Sequence, residues 1–471
     1  MFVFYAVLVS LGFVAIDLVF EKAFQLENYK IKKYIKNVSK FNFSFGDKSF
    51  LVFTARAKRL IFCDFLLKIS TFLLIFGIVN SFLWNLFATL FLLIFSPFFV
   101  VLTFLICWPL EEAIKKSYLK KAKRKLAKCM CKKIAITGSF GKTSTKNILY
   151  QILKEEFDVC ATPKSFNTPM GICKTILQDL KETDDFFIAE FGARRLGDIK
   201  FLAEFLEVDF GIITPVGNCH LETFGSLQNI ENEKFELCNH AKDFVVFNGK
   251  SKSSKKLCQR YKKTKYLVCE KNSFAYAKKI ANFADTTKFV LVIDKNEMAC
   301  STKLLGKANI DNIVVAATMA YLLGESLFSI KRGIEKLAQI PHRLEFLDGE
   351  FVDVIDDSYN SNFDGFMQAL EVLDGFAKRK VVISPGLVEL GFMQKENNFK
   401  IGQEIAKVAD VFVIMNQTNK KALFDGAVSQ GMKKGNICFA QNRKEQKEVL
   451  KTILQKGDIV LFENDFPDNI K

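Results

Sequence analysis

Six residues, Gly138-Ser139-Phe140-Gly141-Lys142-Thr143, have the types and spacing of a phosphate cradle. A strand-prone run, Ile134-Ala135-Ile136, leads into them, and helix-forming sequence follows from Ser144. A glycine-rich turn between strand and helix presents backbone N–H groups and the positive end of the helix dipole to an anion. Lys142 would reach the terminal phosphates of a nucleotide, and the Thr143 hydroxyl would sit on Mg²⁺. Gly138, Ser139, Gly141 and Ser144 complete the expected binding loop. The full pattern carries one more glycine, five residues before Gly141, where this chain has Ile136. An ordinary strand-to-helix turn with a surface lysine is the competing reading, and the strand and helix flanking the loop argue against it.

Other residues with chemical capacity fall at the ends of apolar runs. Glu190 closes FFIAE, where a carboxylate suits a divalent cation. His220 follows FGIIT and the loop Pro215-Val216-Gly217-Asn218-Cys219, although a lone histidine is more often structural. Lys234 lies in ENEKFEL, where a helical lysine is ordinarily a solvated surface group. Asp356-Asp357 ends another run and precedes Ser358-Tyr359-Asn360-Ser361-Asn362, a pattern for ribose or metal contacts or for a helix cap. The 12 cysteines form no CxxC pair and there are 3 histidines, so a zinc framework is not expected and reduced thiols are.

The elements that must carry these residues alternate. From about residue 132 the pattern reads βαβ throughout, with buried parallel strands over 186–189, 210–213, 244–247 and 289–293 and helices over 227–241 and 309–323. A second series follows Pro341, with strands over 351–355, 381–384, 411–415 and 459–462 and helices over 397–408 and 445–454. The expected fold class is α/β: a P-loop ATPase domain (126–340) and a second Rossmann-like domain (341–471). Ligands in such sheets bind beyond the carboxyl ends of the strands, where the residues above cluster.

The first 125 residues read as a membrane region with about three transmembrane helices. Residues 2–20 are apolar apart from Ser10 and Asp17, and no charged residue occurs from Ile69 to Leu110. The second stretch is long enough for two spans, with a turn at Asn80-Ser81, at Asn85 or near Ser96-Pro97. The basic segments on either side, 22–60 and 113–133, are cytoplasmic under the positive-inside rule, which puts the phosphate loop in the cytoplasm of a protein anchored in a bacterial inner membrane. The net charge of +16 then needs no nucleic acid to explain it, and no aromatic-interleaved basic motif supports one.

The series TGSFGKTSTK, EFGARRLGDIKFLAE, ITPVGNCHLETFGSLQNIENEKFEL, ANIDNIVVAA, PHRLE, IDDSYNSN and GLVELG resembles the Mur ligase family in order and spacing, from about residue 132 to the end of the chain. DDSYNSN and HLETFGS make it most similar to the member that adds D-alanyl-D-alanine (D-Ala-D-Ala) to a UDP-muramoyl tripeptide. The resemblance implies an ATP-dependent amide ligase of peptidoglycan synthesis that works through an acyl phosphate. Lys142, Thr143, Glu190 and His220 would serve ATP and Mg²⁺, and Lys234 would be carbamylated. Asn312 would lie on the adenine side, Arg343 and Asp357 would close on ATP, and Asn167, Thr168 and Asn360 would meet substrate. Inner-membrane lipid and membrane-bound peptidoglycan enzymes are the implied neighbours.

Three features depart from the family. Its UDP-binding N-terminal domain is not recognisable, Ala308 stands where a histidine is common, and ENDFPDN replaces a C-terminal KGS-type loop. Two other functions therefore compete: a membrane-anchored poly-γ-glutamate or capsule-type ligase of the same superfamily, and a non-catalytic nucleotide-binding membrane scaffold.

Overall fold

A computed structural model of the protein describes residues 2–27, 29–39, 51, 53–78, 82–219, 221–283, 286–359, 362–388 and 390–464. Two compact units are present, one up to Ser117 and one from Tyr118 onward. The helices before the first strand are α1 (Phe2–Leu26), α2 (Ile31–Ser39), α3 (Ala55–Ile78), α4 (Phe82–Ile94) and α5 (Ser96–Leu126). The uncharged run 69–110 thus divides among three helices rather than two. Among the described residues only α5 is long and apolar enough to cross a bilayer, where the sequence suggested about three spans. α4, with 13 residues, is too short to span alone.

The larger unit begins with β1 (Lys132–Thr137), α6 (Lys142–Leu153), β2 (Val159–Ala161), α7 (Pro169–Gln178), β3 (Phe186–Glu190), α8 (Asp198–Leu206) and β4 (Phe210–Ile213). It continues through α9 (Leu221–Phe224), α10 (Leu227–His240), β5 (Val245–Asn248), α11 (Lys252–Arg260), β6 (Lys265–Val268), β7 (Ala275–Asn282), β8 (Thr287–Ile293), β9 (Asn296–Thr302), α12 (Lys307–Leu322) and α13 (Leu327–Glu335). These strands form one nine-stranded sheet in the order β2-β3-β1-β4-β5-β6-β7-β8-β9. Runs such as Phe186-Phe187-Ile188-Ala189 and Val245-Val246-Phe247 are buried on both faces, which is why they are continuously apolar. Phe187 and Phe247 belong to the core beneath α8 and α10, whereas Ile134, Ile136 and Ile188 face α6 and α12. Burial of each such side chain contributes about 2–3 kcal/mol.

The reading of βαβ throughout is corrected within this sheet. β7, β8 and β9 form an antiparallel ribbon, not parallel strands. β8 and β9 join through Asp294-Lys295, both at positive φ (46° and 69°) without a glycine, so the usual hairpin signal is missing from the sequence.

The rest of the unit is β10 (Glu345–Leu347), β11 (Asp353–Asp357), α14 (Phe363–Asp374), β12 (Lys380–Ser384), α15 (Gln394–Val408), β13 (Val411–Met415), α16 (Lys420–Ser429), β14 (Ile437–Ala440), α17 (Arg443–Ile453) and β15 (Ile459–Glu463). Its sheet runs β10-β11-β15-β12-β13-β14, parallel except for β10. The chain passes from one sheet to the other between α13 and β10, at Pro341.

In the nine-stranded sheet, β1 lies between β3 and β4. The chain leaves β1 toward β2 on one side and later returns to β4 on the other. This reversal opens a crevice at the carboxyl end of β1, where an α/β sheet binds its ligand.

Candidate nucleotide and acyl-transfer site

The loop after β1 requires its glycines. A Cβ on Gly138 would lie 2.0 Å from Thr214 Oγ1 and 2.9 Å from the Thr214 carbonyl. Gly141 caps α6 at φ 74°, and a Cβ there would meet Asn312 Oδ1 at 2.7 Å. The loop is fastened from the β4 side. The N–H groups of Ser139 and Phe140 donate to the Pro215 carbonyl at 2.9 and 3.2 Å, and the Ser139 hydroxyl donates to the Gly217 carbonyl at 3.0 Å. Ser139 and Phe140 therefore do not offer their amides to an anion here; the first turn of α6, with Lys142, Thr143 and Ser144, does. Lys142 Nζ folds back on the carbonyls of Gly138 and Ser139 at 3.0 and 3.1 Å, so its ammonium sits at the mouth of the loop.

A chain of polar contacts crosses the crevice. Thr143 Oγ1 donates to Glu190 Oε2 at 2.8 Å, and Asn167 Nδ2 donates to Glu190 Oε1 at 3.0 Å. Gly192 lets the two loops meet: its N–H donates to the Asn167 carbonyl at 3.0 Å, and a Cβ on it would lie 2.7 Å from Asn167 Cγ. From beyond Pro341, Arg343 Nη2 approaches Thr143 Oγ1 at 3.4 Å, and its guanidinium stacks 4.4 Å from the Tyr359 ring centre. Tyr359 in turn donates to Ser165 Oγ at 2.6 Å. A buried hydroxyl beside a buried carboxylate is a hard-oxygen pair of the kind that holds Mg²⁺.

Lys234 is buried on α10, which starts at Leu227 because the Ser226 hydroxyl accepts the Asn229 N–H. Among the described residues its ammonium has no hydrogen-bond partner. Burial first, and then the charge of Lys142, push it down to about 7. Its neighbour Glu233 accepts the N–H groups of Gly197 and Ile199, both at 2.7 Å, and so pins the start of α8 against α10.

Other expected residues lie at the margins. Asn312 Oδ1 accepts from Thr145 Oγ1 at 3.1 Å, against the phosphate loop. Thr168 caps α7 by accepting the Gly171 N–H. Asp357 accepts the Leu344 N–H at 3.2 Å, and burial lifts it to about 6 against the pull of Arg343. His220 and Asn360 lie outside the described residues. Sequence reasoning missed Lys146, Tyr359 and Glu233. For Lys146 the signal was its place three residues after Thr143, on the same face of α6.

Two family models match the chain. Residues 136–320 match the Mur ligase middle domain, and residues 342–463 match the Mur ligase glutamate ligase domain. The chain is 26% identical over 305 residues to the UDP-N-acetylmuramoyl-tripeptide–D-alanyl-D-alanine ligase of Haemophilus influenzae, covering 63% of this chain and 66% of that protein. It is 25% identical over 339 residues to the ligase of the same name from Bacillus subtilis, covering 70% and 72%. The crystal structure of MurF ligase from Thermotoga maritima in complex with ADP superposes with a TM-score of 0.68 at 25% identity, covering 75% of this chain and 81% of that one. The chain belongs to the Mur ligase family.

Proposed function

We propose that the chain is an ATP-dependent ligase that joins D-alanyl-D-alanine to the terminal carboxylate of a UDP-N-acetylmuramoyl tripeptide in peptidoglycan precursor synthesis. The observation that carries this reading is the contact chain Arg343–Thr143–Glu190–Asn167, which joins a phosphate loop, a metal-type carboxylate and an adjacent loop in one crevice. The named relatives act on these substrates, and they align with 63–70% of this chain.

In this reading Lys142 swings from the Gly138 and Ser139 carbonyls onto the terminal phosphates, and the first turn of α6 supports their charge. Thr143 and Glu190 would hold Mg²⁺, which supplies charge neutralisation for the phosphoryl oxygens. The tripeptide carboxylate takes the γ-phosphoryl group and ADP is released. The amine of D-alanyl-D-alanine then attacks the acyl carbon, loses a proton and expels phosphate. Arg343 closes over the nucleotide from beyond Pro341 and keeps water from the acyl phosphate.

Lys234 is the residue that would be carbamylated. A buried amine near neutrality has its lone pair free to add CO₂, which releases a proton and leaves a carbamate. The resulting negative charge would face Lys142 and reverse their present repulsion.

The domain reading is a membrane region over 1–125, an ATP-binding domain over 126–340 and a closing domain over 341–471. Exposed Leu83, Trp84, Phe87, Ile94 and Phe98 support an inner-membrane anchor, which would bring the catalytic domains near lipid-linked steps and their enzymes.

The test is to incubate the purified full chain with Mg-ATP, UDP-muramoyl tripeptide and D-alanyl-D-alanine. Pentapeptide and ADP are expected in equal amounts, and Lys142→Ala should lower the rate by about 10³-fold. ATP turnover with glutamate acceptors and no pentapeptide would instead favour the capsule-type ligase.

A further inference from the structure

Lys146 is fully buried on α6, one turn beyond Thr143. Its Nζ donates to the Lys164 carbonyl and lies 4.0 Å from Glu190 Oε2. Both Glu190 oxygens already receive closer hydrogen bonds, from Thr143 and Asn167. The direct bond of Lys146 is therefore to the backbone of the loop 163–168, not to the carboxylate. Lys164 holds a left-handed conformation, φ 49°, which a non-glycine residue adopts at a cost. The lysine thus fastens the loop at its strained residue. Asn167 fastens the same loop to Glu190 and Gly192, and Tyr359 reaches Ser165 from beyond Pro341.

A methionine would fill this space without the penalty of burying an ammonium group. The use of lysine points to a need for its bond and charge. We infer that Lys146 is a positioning residue that braces the loop 163–168 against the nucleotide-binding helix, and that it thereby sets affinity for the peptide carboxylate substrate rather than for ATP. The substrate assignment rests on the ligase reading above; the brace does not. Lys146 is fully buried, with its ammonium on the Lys164 carbonyl. It acts through the Lys164 carbonyl and through the orientation this gives Asn167 beside the carboxylate that faces the reacting phosphoryl group.

The test compares the full-length protein with Lys146→Met, which removes the donor and the charge, and Lys146→Gln, which keeps a donor for the Lys164 carbonyl. Lys146→Met is expected to raise KM for the UDP-muramoyl tripeptide by about tenfold while KM for ATP changes by less than about twofold, with Lys146→Gln in between. Amide hydrogen exchange over 163–168 should be about tenfold faster in Lys146→Met, with exchange over β1 and α6 unchanged. An equal rise in both KM values, or a lower melting temperature with both KM values unchanged, would overturn the proposal. So would unchanged exchange over 163–168 in the two variants. If the wild-type chain makes no pentapeptide, the ligase reading fails, and the exchange measurement still decides whether Lys146 braces the loop. If Lys146→Met does not fold, Lys146→Gln carries both measurements.

Discussion

Two buried lysines, one in each unit, are held in opposite ways. Lys68 in the helical unit donates to Asp17 and to Asp64 Oδ2, the latter at 2.7 Å, and Asp64 Oδ1 also accepts the Thr103 hydroxyl at 2.9 Å. Lys234 in the ligase unit is as enclosed but has no such partner among the described residues, and Lys142 repels it. The first lysine is neutralised where it stands and joins α1, α3 and α5. For the second, burial and the charge of Lys142 outweigh the pull of Cys219, Glu233 and Asp198, so its proton is loosely held. Burial alone does not distinguish a structural cation from a reactive amine; what each side chain touches does.

The largest expected effect comes from breaking the paired lysine. Lys68→Met leaves Asp17 and Asp64 buried without their cation and should cost about 3–5 kcal/mol of stability. Both tryptophans of the chain, Trp84 and Trp108, lie in the helical unit, so fluorescence-monitored unfolding in detergent reads that unit. Lys234→Met should do the reverse. It removes a buried cation that has no hydrogen-bond partner among the described residues, so circular dichroism should show equal or greater stability of the ligase unit, while pentapeptide synthesis falls by about 10²–10³-fold. A destabilised Lys234→Met, or a neutral Lys68→Met, would erase the contrast.

Acidity sharpens the same comparison. Lys234 holds its proton below about 7 when folded, and an unfolded lysine holds it to about 10.4. Between these values the unfolded chain binds more protons, so folding stability must rise with pH. Measured without bicarbonate, the stability advantage of Lys234→Met over wild type should shrink by about 1.4 kcal/mol per pH unit from pH 7 to 10. A constant advantage across that window would mean that Lys234 is protonated throughout.

What the sequence disclosed and what it hid follow the same division. The parallel strands were readable because burial on both faces makes them continuously apolar; 210–213 and 411–415 coincide with β4 and β13. The direction of β8 was not readable, because a strand in the middle of a ribbon is as apolar as one in a parallel sheet, and its Asp294-Lys295 turn lacks glycine. Glycine spacing located the phosphate loop, since backbone approach to Thr214 excludes any side chain at Gly138. Lys146 and Tyr359 stayed hidden because their partners, Lys164 and Ser165, lie far along the chain, and helical lysines are usually solvated. The Asp17–Lys68–Asp64 cluster was likewise hidden, because Asp17 lies in one apolar run and Asp64 and Lys68 lie just before another, with no sequence signal that they meet.

The smallest predicted difference concerns two threonines in matching positions. Thr103 donates to Asp64 at 2.9 Å and Thr143 donates to Glu190 at 2.8 Å, each a buried hydroxyl on a buried carboxylate. Replacement by valine keeps the shape and removes the hydrogen bond, for about 1–3 kcal/mol in either place. Thr103→Val should express that loss wholly as earlier unfolding of the tryptophan-bearing unit, with unchanged synthesis. Asp64 keeps Lys68 as a partner there, which places the effect toward the lower end. Thr143→Val should lose a similar amount of stability and also raise the Mg²⁺ concentration needed for half-maximal rate, because its hydroxyl and Glu190 are proposed to share the cation. If Thr143→Val changed stability alone, the Thr143–Glu190 pair would be a structural contact of the same kind as Thr103–Asp64, and the Mg²⁺ position would have to be sought elsewhere along the crevice.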